Sequence, residues 1–161
     1  MGREIRRVPP NWEHPKDSKG NFKSMYDEDF DAALTEWLEG YKLWKKGEHP
    51  DQQKEYYDKG DPYWEWNGAP PDPDYYRPKW EQEPTWYQVY ETVSEGTPVS
   101  PPFATKEELV NSLVQHGDFW DQRRGDGTWS REAAEQFVER EWSPSGMMTS
   151  EGYKTPKDMI F

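Results

Sequence analysis

Thirty-two acids, three histidines and no cysteine bound the chemistry open to this chain. His14 and His49 each precede a proline, and His116 falls at the end of a predicted helix, where a cation suits the carbonyl dipole. No pair of histidines has the H-E-x-x-H spacing that sets two imidazoles on one helix face to hold zinc. Without cysteine there is no thiolate nucleophile, thiolate metal site or disulfide. A G-x-S-x-G elbow and a phosphate-cradling glycine loop are both missing. Asp118, Asp121 and Asp126 share one glycine-bearing stretch, but their spacing departs from the D-x-D-x-D-G loop with distal Glu that wraps calcium. Arg124-Gly125-Asp126 matches an adhesion tripeptide, as short strings do by chance. Two carboxylates can cleave a glycosidic bond without any local motif, so that chemistry alone stays open. The expectation is a protein that is not an enzyme and that carries no metal or cofactor.

Charge offers a different use for the acids. Residues 1–26 hold six bases and three acids, so the other 135 residues carry −15 of the net −12. Such a body either simply keeps an aromatic-rich chain in solution or, repelling phosphates and gaining nothing from counterion release, favours basic protein surfaces. Asp27, Glu28, Asp29 and Asp31 form the densest run, DEDFD. They either imitate a row of phosphates or supply the ordinary negative charge at a helix start, the commoner use of such residues. From Asp61 to Trp86 the prolines at 62, 70, 71, 73, 78 and 84 forbid long regular elements, while aromatic rings punctuate the stretch. Rings interleaved with prolines either build a platform for a carbohydrate or a proline-rich peptide, or more commonly lie back on the core. Trp64, Trp66, Tyr75 and Tyr76 are the candidate anchors beside the four acids, because Trp and Tyr are enriched at interface hot spots.

Leu, Ile, Val and Phe number only 20, which with this charge leans toward disorder, but ten Trp and ten Tyr supply the missing apolar area. The fold expected is α+β: one small domain with a short antiparallel hairpin, three or four helices, an aromatic-rich core and long proline-rich irregular segments. Trp86–Gly117 is the best specified stretch. It alternates as a strand, turns at Ser94-Glu95-Gly96, returns through Thr97-Pro98-Val99, and starts a helix at Thr105 with Glu108 completing a capping box. Leu109, Val110, Leu113 and Val114 then share one helix face, and Gly117 ends it. A first helix over 29–46 presents Phe30, Leu34, Trp37, Leu38, Tyr41 and Trp44 as a stripe. A last one over 131–141 is capped by Ser130 and turns Ala134, Phe137, Val138 and Trp142 inward. Asp51–Lys59 adds a short polar helix with Tyr56 and Tyr57, Tyr63–Trp66 a short strand, and 118–129 a loop. Residues 1–26 form an extended basic arm, 27–142 the acidic domain, and 143–161 a loosely packed tail with a helix-start signal at Thr155-Pro156 ahead of Met159-Ile160-Phe161. No apolar run spans a bilayer and no signal peptide precedes the charged opening, so a protein of the cytoplasm, or one packaged in a particle, is expected.

Two segments resemble those of small proteins encoded by bacteriophages and prophages: the opening GREIRRVPPNWEHPK and the central YETVSEGTPVSPPFATKEEL. The central match runs through Tyr90-Glu91-Thr92, Ser94-Glu95-Gly96, Pro98, Ser100-Pro101 and Phe103-Ala104-Thr105, and the two segments together cover about a quarter of the chain. Some relatives carry a cysteine-rich, metal-binding region between these ends; with no cysteine here, that role does not transfer. The resemblance implies provenance and no catalytic residue. Joined to the acidic surface, it implies a phage-encoded binding protein acting on a host protein in the bacterial cytoplasm. Its sharpest form is an anti-CRISPR-like defence inhibitor that covers the nucleic-acid-binding surface of a host nuclease or nucleic-acid-guided complex. The alternative is a virion or assembly accessory protein. Direct contact with nucleic acid or membrane is not expected, and the oligomeric state stays open.

Overall fold

The computed structural model describes residues 2–55, 60–92, 96–125, 127–143, 147–149 and 152–154, the last two stretches by their backbone alone. The order is β1 (Arg3–Val8), β2 (Tyr26–Asp29), α1 (Phe30–Lys46), α2 (Tyr63–Asn67), β3 (Tyr76–Arg77), β4 (Trp86–Glu91), β5 (Thr97–Pro98), α3 (Lys106–His116), α4 (Phe119–Arg124), α5 (Arg131–Arg140), β6 (Trp142–Ser143), β7 (Met147–Thr149) and β8 (Gly152–Lys154). The chain is thus mixed α+β, with a small antiparallel sheet, aromatic clusters and long proline-rich irregular stretches. It divides into two compact units, Met1–Met25 with Trp80–Phe161, and Tyr26–Lys79. No helix among the described residues is long and apolar enough to cross a membrane.

The first unit is built on a sheet of order β5-β4-β1-β6. β1 pairs antiparallel with β4 along its whole length, from Arg3 opposite Glu91 to Val8 opposite Trp86. The extended arm expected over 1–26 opens as an inner strand of the sheet: Arg3, Ile5, Arg6 and Val8 are buried in β1. Because β1 and β4 are covered on both faces, polar residues had to be buried with them, which hid the strand's period-2 signal. Alternation puts Ile5 and Val89 on one face, where they meet Leu109, Val110 and Leu113 of α3 and Ala134, Phe137 and Val138 of α5. Arg6, Gln88 and Tyr90 point to the other.

Local signals place the helices. Thr105 Oγ1 accepts from Glu108 N–H at 3.1 Å, while Glu108 Oε2 reaches Ala104 N–H at 3.2 Å, one residue before the box expected. Ser130 caps α5 by accepting from Ala133 N–H. Glu141 then takes φ +63°, and this left-handed residue throws Trp142 outward, 57% exposed, where the helix period had turned it inward. The stretch 118–129 is not simply a loop. Asp118 and Asp121 form a reciprocal capping box, each carboxylate accepting the other's N–H, and so start α4. Asp118 also takes Arg3 Nε at 2.9 Å, a pair less than one-tenth exposed. Burial pushes the Asp118 carboxyl up from its ordinary range, against the opposing pull of Arg3. Asp126, most of the turn at 94–96, Tyr56 and Tyr57, and Thr155 to Phe161 lie outside the described residues. In the tail expected to pack loosely, Ser143 is buried in β6 and the backbones of β7 and β8 pair as a hairpin.

The second unit hangs on α1. Gly47, at φ +73°, ends the helix as expected. Asp27, Glu28 and Asp29, however, form β2 and pair with β3 in parallel, leaving Asp31 as the acid of the first helical turn. The helix stripe is roofed by α2, where a strand was expected. Tyr63 and Trp66 stand three apart, a helical spacing, and Pro62 supplies the carbonyl that both Glu65 and Trp66 N–H groups reach. Tyr63, 3% exposed, packs among Trp37, Tyr41, Trp44 and His49 with ring centroids 5.0–6.0 Å away. Three of the unit's indoles find an acceptor: Trp37 gives to Gly68 O, Trp44 to Asp61 O and Trp66 to Asp51 Oδ2, all within 3.1 Å. In place of a polar helix after Asp51, a 3-10 turn over Pro50–Gln53 is capped by His49, whose Nδ1 accepts from Asp51 N–H.

Candidate functional site

All eight candidate contact residues fall within the 26–79 unit. That unit has fourteen acids and seven bases, so −7 of the chain's −12 sits in a third of its length. The structure sorts the eight into two groups and reassigns some of them.

The acidic group gathers at β2, β3 and the start of α1. Asp27 is paired to Arg77 and Asp31 to Lys79, both at 2.9 Å. The hydrogen bond and charge of Asp31, with Asp29 behind it, hold the Lys79 ammonium above its usual range. Glu28 and Asp29 are exposed and make no ion pair among the described residues. The row therefore presents two carboxylates outside any ion pair between two that are paired, a weaker phosphate imitation than four bare acids. Arg77 and Lys79 stand 50 and 48 positions beyond their partners, and no local spacing signals such pairs. Tyr76 packs on Tyr26 and Phe30 at 5.1 and 5.8 Å, and burial, with Glu28 adding to it, raises its phenol. It is a support for the row.

The ring group divides in the same way. Trp66 packs at a tilt 6.0 Å from Trp44 and gives its N–H to Asp51, so it is half-buried on the inner side of α2. Trp64 points the other way from α2 and is 52% exposed, and Tyr75, closing a 3-10 turn begun by Asp72, is 49% exposed. Glu65, Asp72 and Asp74 beside them are exposed as well. Sequence reasoning missed Leu38 and Leu43, which remain exposed on α1 although the stripe was expected to bury the first of them. Of the large hydrophobic side chains exposed among the described residues, only Trp142 belongs to the other unit. A helical stripe with too little chain over it would have been the signal, since α2 is one turn long.

The first unit contains a cleft of about 250 Å³ lined by Phe22, Val99, Phe119 and Trp120, with buried Glu91 and exposed Arg123 also in its wall. This is below the roughly 300–1,000 Å³ of most small-molecule sites. The Glu91 carboxylate is held by the Trp120 indole at 2.8 Å, and the Arg123 guanidinium lies over the same indole. Among the described residues no three His, Asp or Glu side chains converge as a metal site.

No protein-family model, curated protein or solved structure matches the chain.

Proposed function

We propose that the chain is a non-catalytic binding protein whose 26–79 unit docks on a basic protein surface. The occupant proposed is a host protein in the bacterial cytoplasm, a nuclease or nucleic-acid-guided complex, whose nucleic-acid-binding face is covered. The observation that supports this is the concentration of exposed Trp64, Tyr75, Leu38 and Leu43 in the unit that holds most of the negative charge. Aromatic anchors bury large areas at low entropic cost, and flanking carboxylates steer the encounter and set its register. Phage or prophage provenance comes from the resemblance of the two segments alone. A virion accessory role drew on the extended basic arm and the apolar tail; residues 3–8 lie in the sheet and the tail's end lies outside the described residues, so no specific observation favours it.

Capture of tagged protein from infected bacterial lysate, read by mass spectrometry, tests the proposal. Recovery of a nuclease complex that nucleic acid displaces is the expected result. Trp64→Ala with Tyr75→Ala should then weaken binding at least tenfold, and Glu28→Lys with Asp29→Lys should slow association and reduce its salt dependence. Recovery of capsid or tail subunits instead, or binding indifferent to both pairs of substitutions, overturns it.

A further inference from the structure

The face of the sheet turned away from the helices carries a hydrogen-bond chain that is one proton short. His14 Nε2 lies 2.6 Å from Lys23 O, and His14 Nδ1 lies 3.0 Å from Tyr90 Oη. Tyr90 Oη is in turn 3.1 Å from Gln88 Oε1, and Gln88 Nε2 gives to Ser100 O at 2.8 Å. Both ends of the chain are fixed. Lys23 O is a carbonyl, so Nε2 must carry a hydrogen. Ser100 O is a carbonyl too, so the amide of Gln88 must turn its nitrogen there and its oxygen toward Tyr90. Three contacts remain, each needing one hydrogen. A neutral His14 and the Tyr90 hydroxyl supply two. With neutral His14 the hydroxyl serves either Nδ1 or Gln88 Oε1, and the other contact sets two lone pairs face to face inside the protein.

We propose that His14 is a proton-sensing anchor for residues 15–23. One proton from solvent binds Nδ1, the Tyr90 hydroxyl hydrogen swings from Nδ1 to Gln88 Oε1, and all three contacts are filled. The same proton places a cation in a setting that disfavours it. On β1 the Arg6 guanidinium lies 4.5 Å from the Tyr90 ring centroid, and the nearby carboxylate of Glu4 is already paired to Arg6 at 2.7 Å. On β4 the facing groups are Tyr90 and Gln88, which are neutral. On His14's own segment Trp12 and Phe22 stand edge-on, Lys16 adds a positive charge over Phe22, and Asp17 is engaged by the N–H groups of Lys19 and Asn21. Burial first and Arg6 second outweigh the Lys23 hydrogen bond and keep the imidazole below its ordinary 6.5. Neutral His14 is therefore the resting form, and mild acid forces a charge between Arg6 and two rings.

The segment so anchored is a small hairpin. Asp17 N–H reaches Asn21 O, Lys23 N–H reaches Pro15 O, and Lys16 bridges Phe22. Phe22 stacks on Phe119 with planes 6° apart, and with Asn21 it lines the cleft that holds Glu91. Charging His14 should thus loosen one wall of that cleft. This inference stands independently of the function proposed above.

Nitrogen NMR of the imidazoles, with amide exchange across residues 16–23 between pH 7.5 and 5, decides the matter on the intact protein. Expected are the Nε2–H tautomer at pH 7.5 and a midpoint below 6.5. On protonation, exchange at the Asn21 and Lys23 amides should rise at least tenfold after correction for intrinsic rates. An Nδ1–H tautomer, a charged His14 at pH 7.5, or exchange unmoved through the titration would overturn it. Tyr90→Phe keeps the ring under Arg6 and removes the acceptor of the Nδ1 proton, so the midpoint should fall further; a midpoint unchanged or raised refutes the chain as its carrier.

Discussion

Replacing Gly40 with alanine is the most direct test of the ring cluster that supports Trp64. Gly40 lies mid-way along α1, where Gly→Ala ordinarily gains about 0.8–1 kcal/mol of helix propensity. Here the new Cβ would overlap Tyr63 Oη outright and stand 2.9 Å from Cζ. Tyr63 cannot swing aside, because Trp37, Tyr41, Trp44 and His49 enclose its ring. Overpacking of this kind costs about 1–3 kcal/mol, and expelling the ring would forfeit about 3–5 kcal/mol, by analogy with Phe→Ala in cores. The net expectation is a loss of up to about 2 kcal/mol after the propensity gain is set against it. Urea denaturation followed by tryptophan fluorescence and circular dichroism measures it, with Tyr63→Ala as background. In that background Gly40→Ala should become stabilising. If the single variant is about 1 kcal/mol more stable than the parent, or costs the same in both backgrounds, the packing argument fails.

Asp118→Asn keeps the cap acceptor and removes the carboxylate paired to buried Arg3, and should cost about 1–3 kcal/mol in urea denaturation. Adding Arg3→Met should recover at least half of that, which a double-mutant cycle will report. Glu141→Gly relieves about 1 kcal/mol of left-handed strain and loses partly exposed ion pairs with Arg7 and Lys106 worth about 0–1 kcal/mol each, so it should change stability by no more than about 1 kcal/mol either way. Glu141→Ala keeps the strain and should be less stable than the glycine variant by about 1 kcal/mol under the same assay. His14, whose pKa is lowered on folding, contributes stability that is full above 6.5 and lost as pH falls through the folded value. The urea midpoint should therefore drop between pH 7 and 5, by less in His14→Gln.

What was legible in the sequence was local. Thr105, Glu108, Ser130 and Gly47 announce helix ends by chemistry that acts within four residues, and each is found at such an end. What was missed depends on distance. β1 was read as an arm because its partner lies some eighty residues away and both of its faces are covered, one of them by polar groups. The Arg3–Asp118, Asp27–Arg77 and Asp31–Lys79 pairs have no local mark for the same reason. Trp142 was misplaced by one torsion, since a single left-handed residue at 141 ends the helix period. For the candidate surface, types and region could be chosen from sequence, but not the division between Trp64 facing out and Trp66 facing in. That division depends on which side of a single helical turn meets α1.

Tyr26 opposes Tyr76 in the β2–β3 pair, so the two ends of the 26–79 unit are hydrogen-bonded neighbours. This has a consequence for the order of assembly. The β1–β4 ladder must close a loop of nearly eighty residues, the slow kind of step in folding. Once the 26–79 unit has folded, some fifty of those residues no longer contribute freedom, and the closure entropy falls by about 1 kcal/mol. During synthesis that unit leaves the ribosome ahead of β4. Its formation first would make it the clamp that draws the chain's opening strand toward a partner still to leave the ribosome.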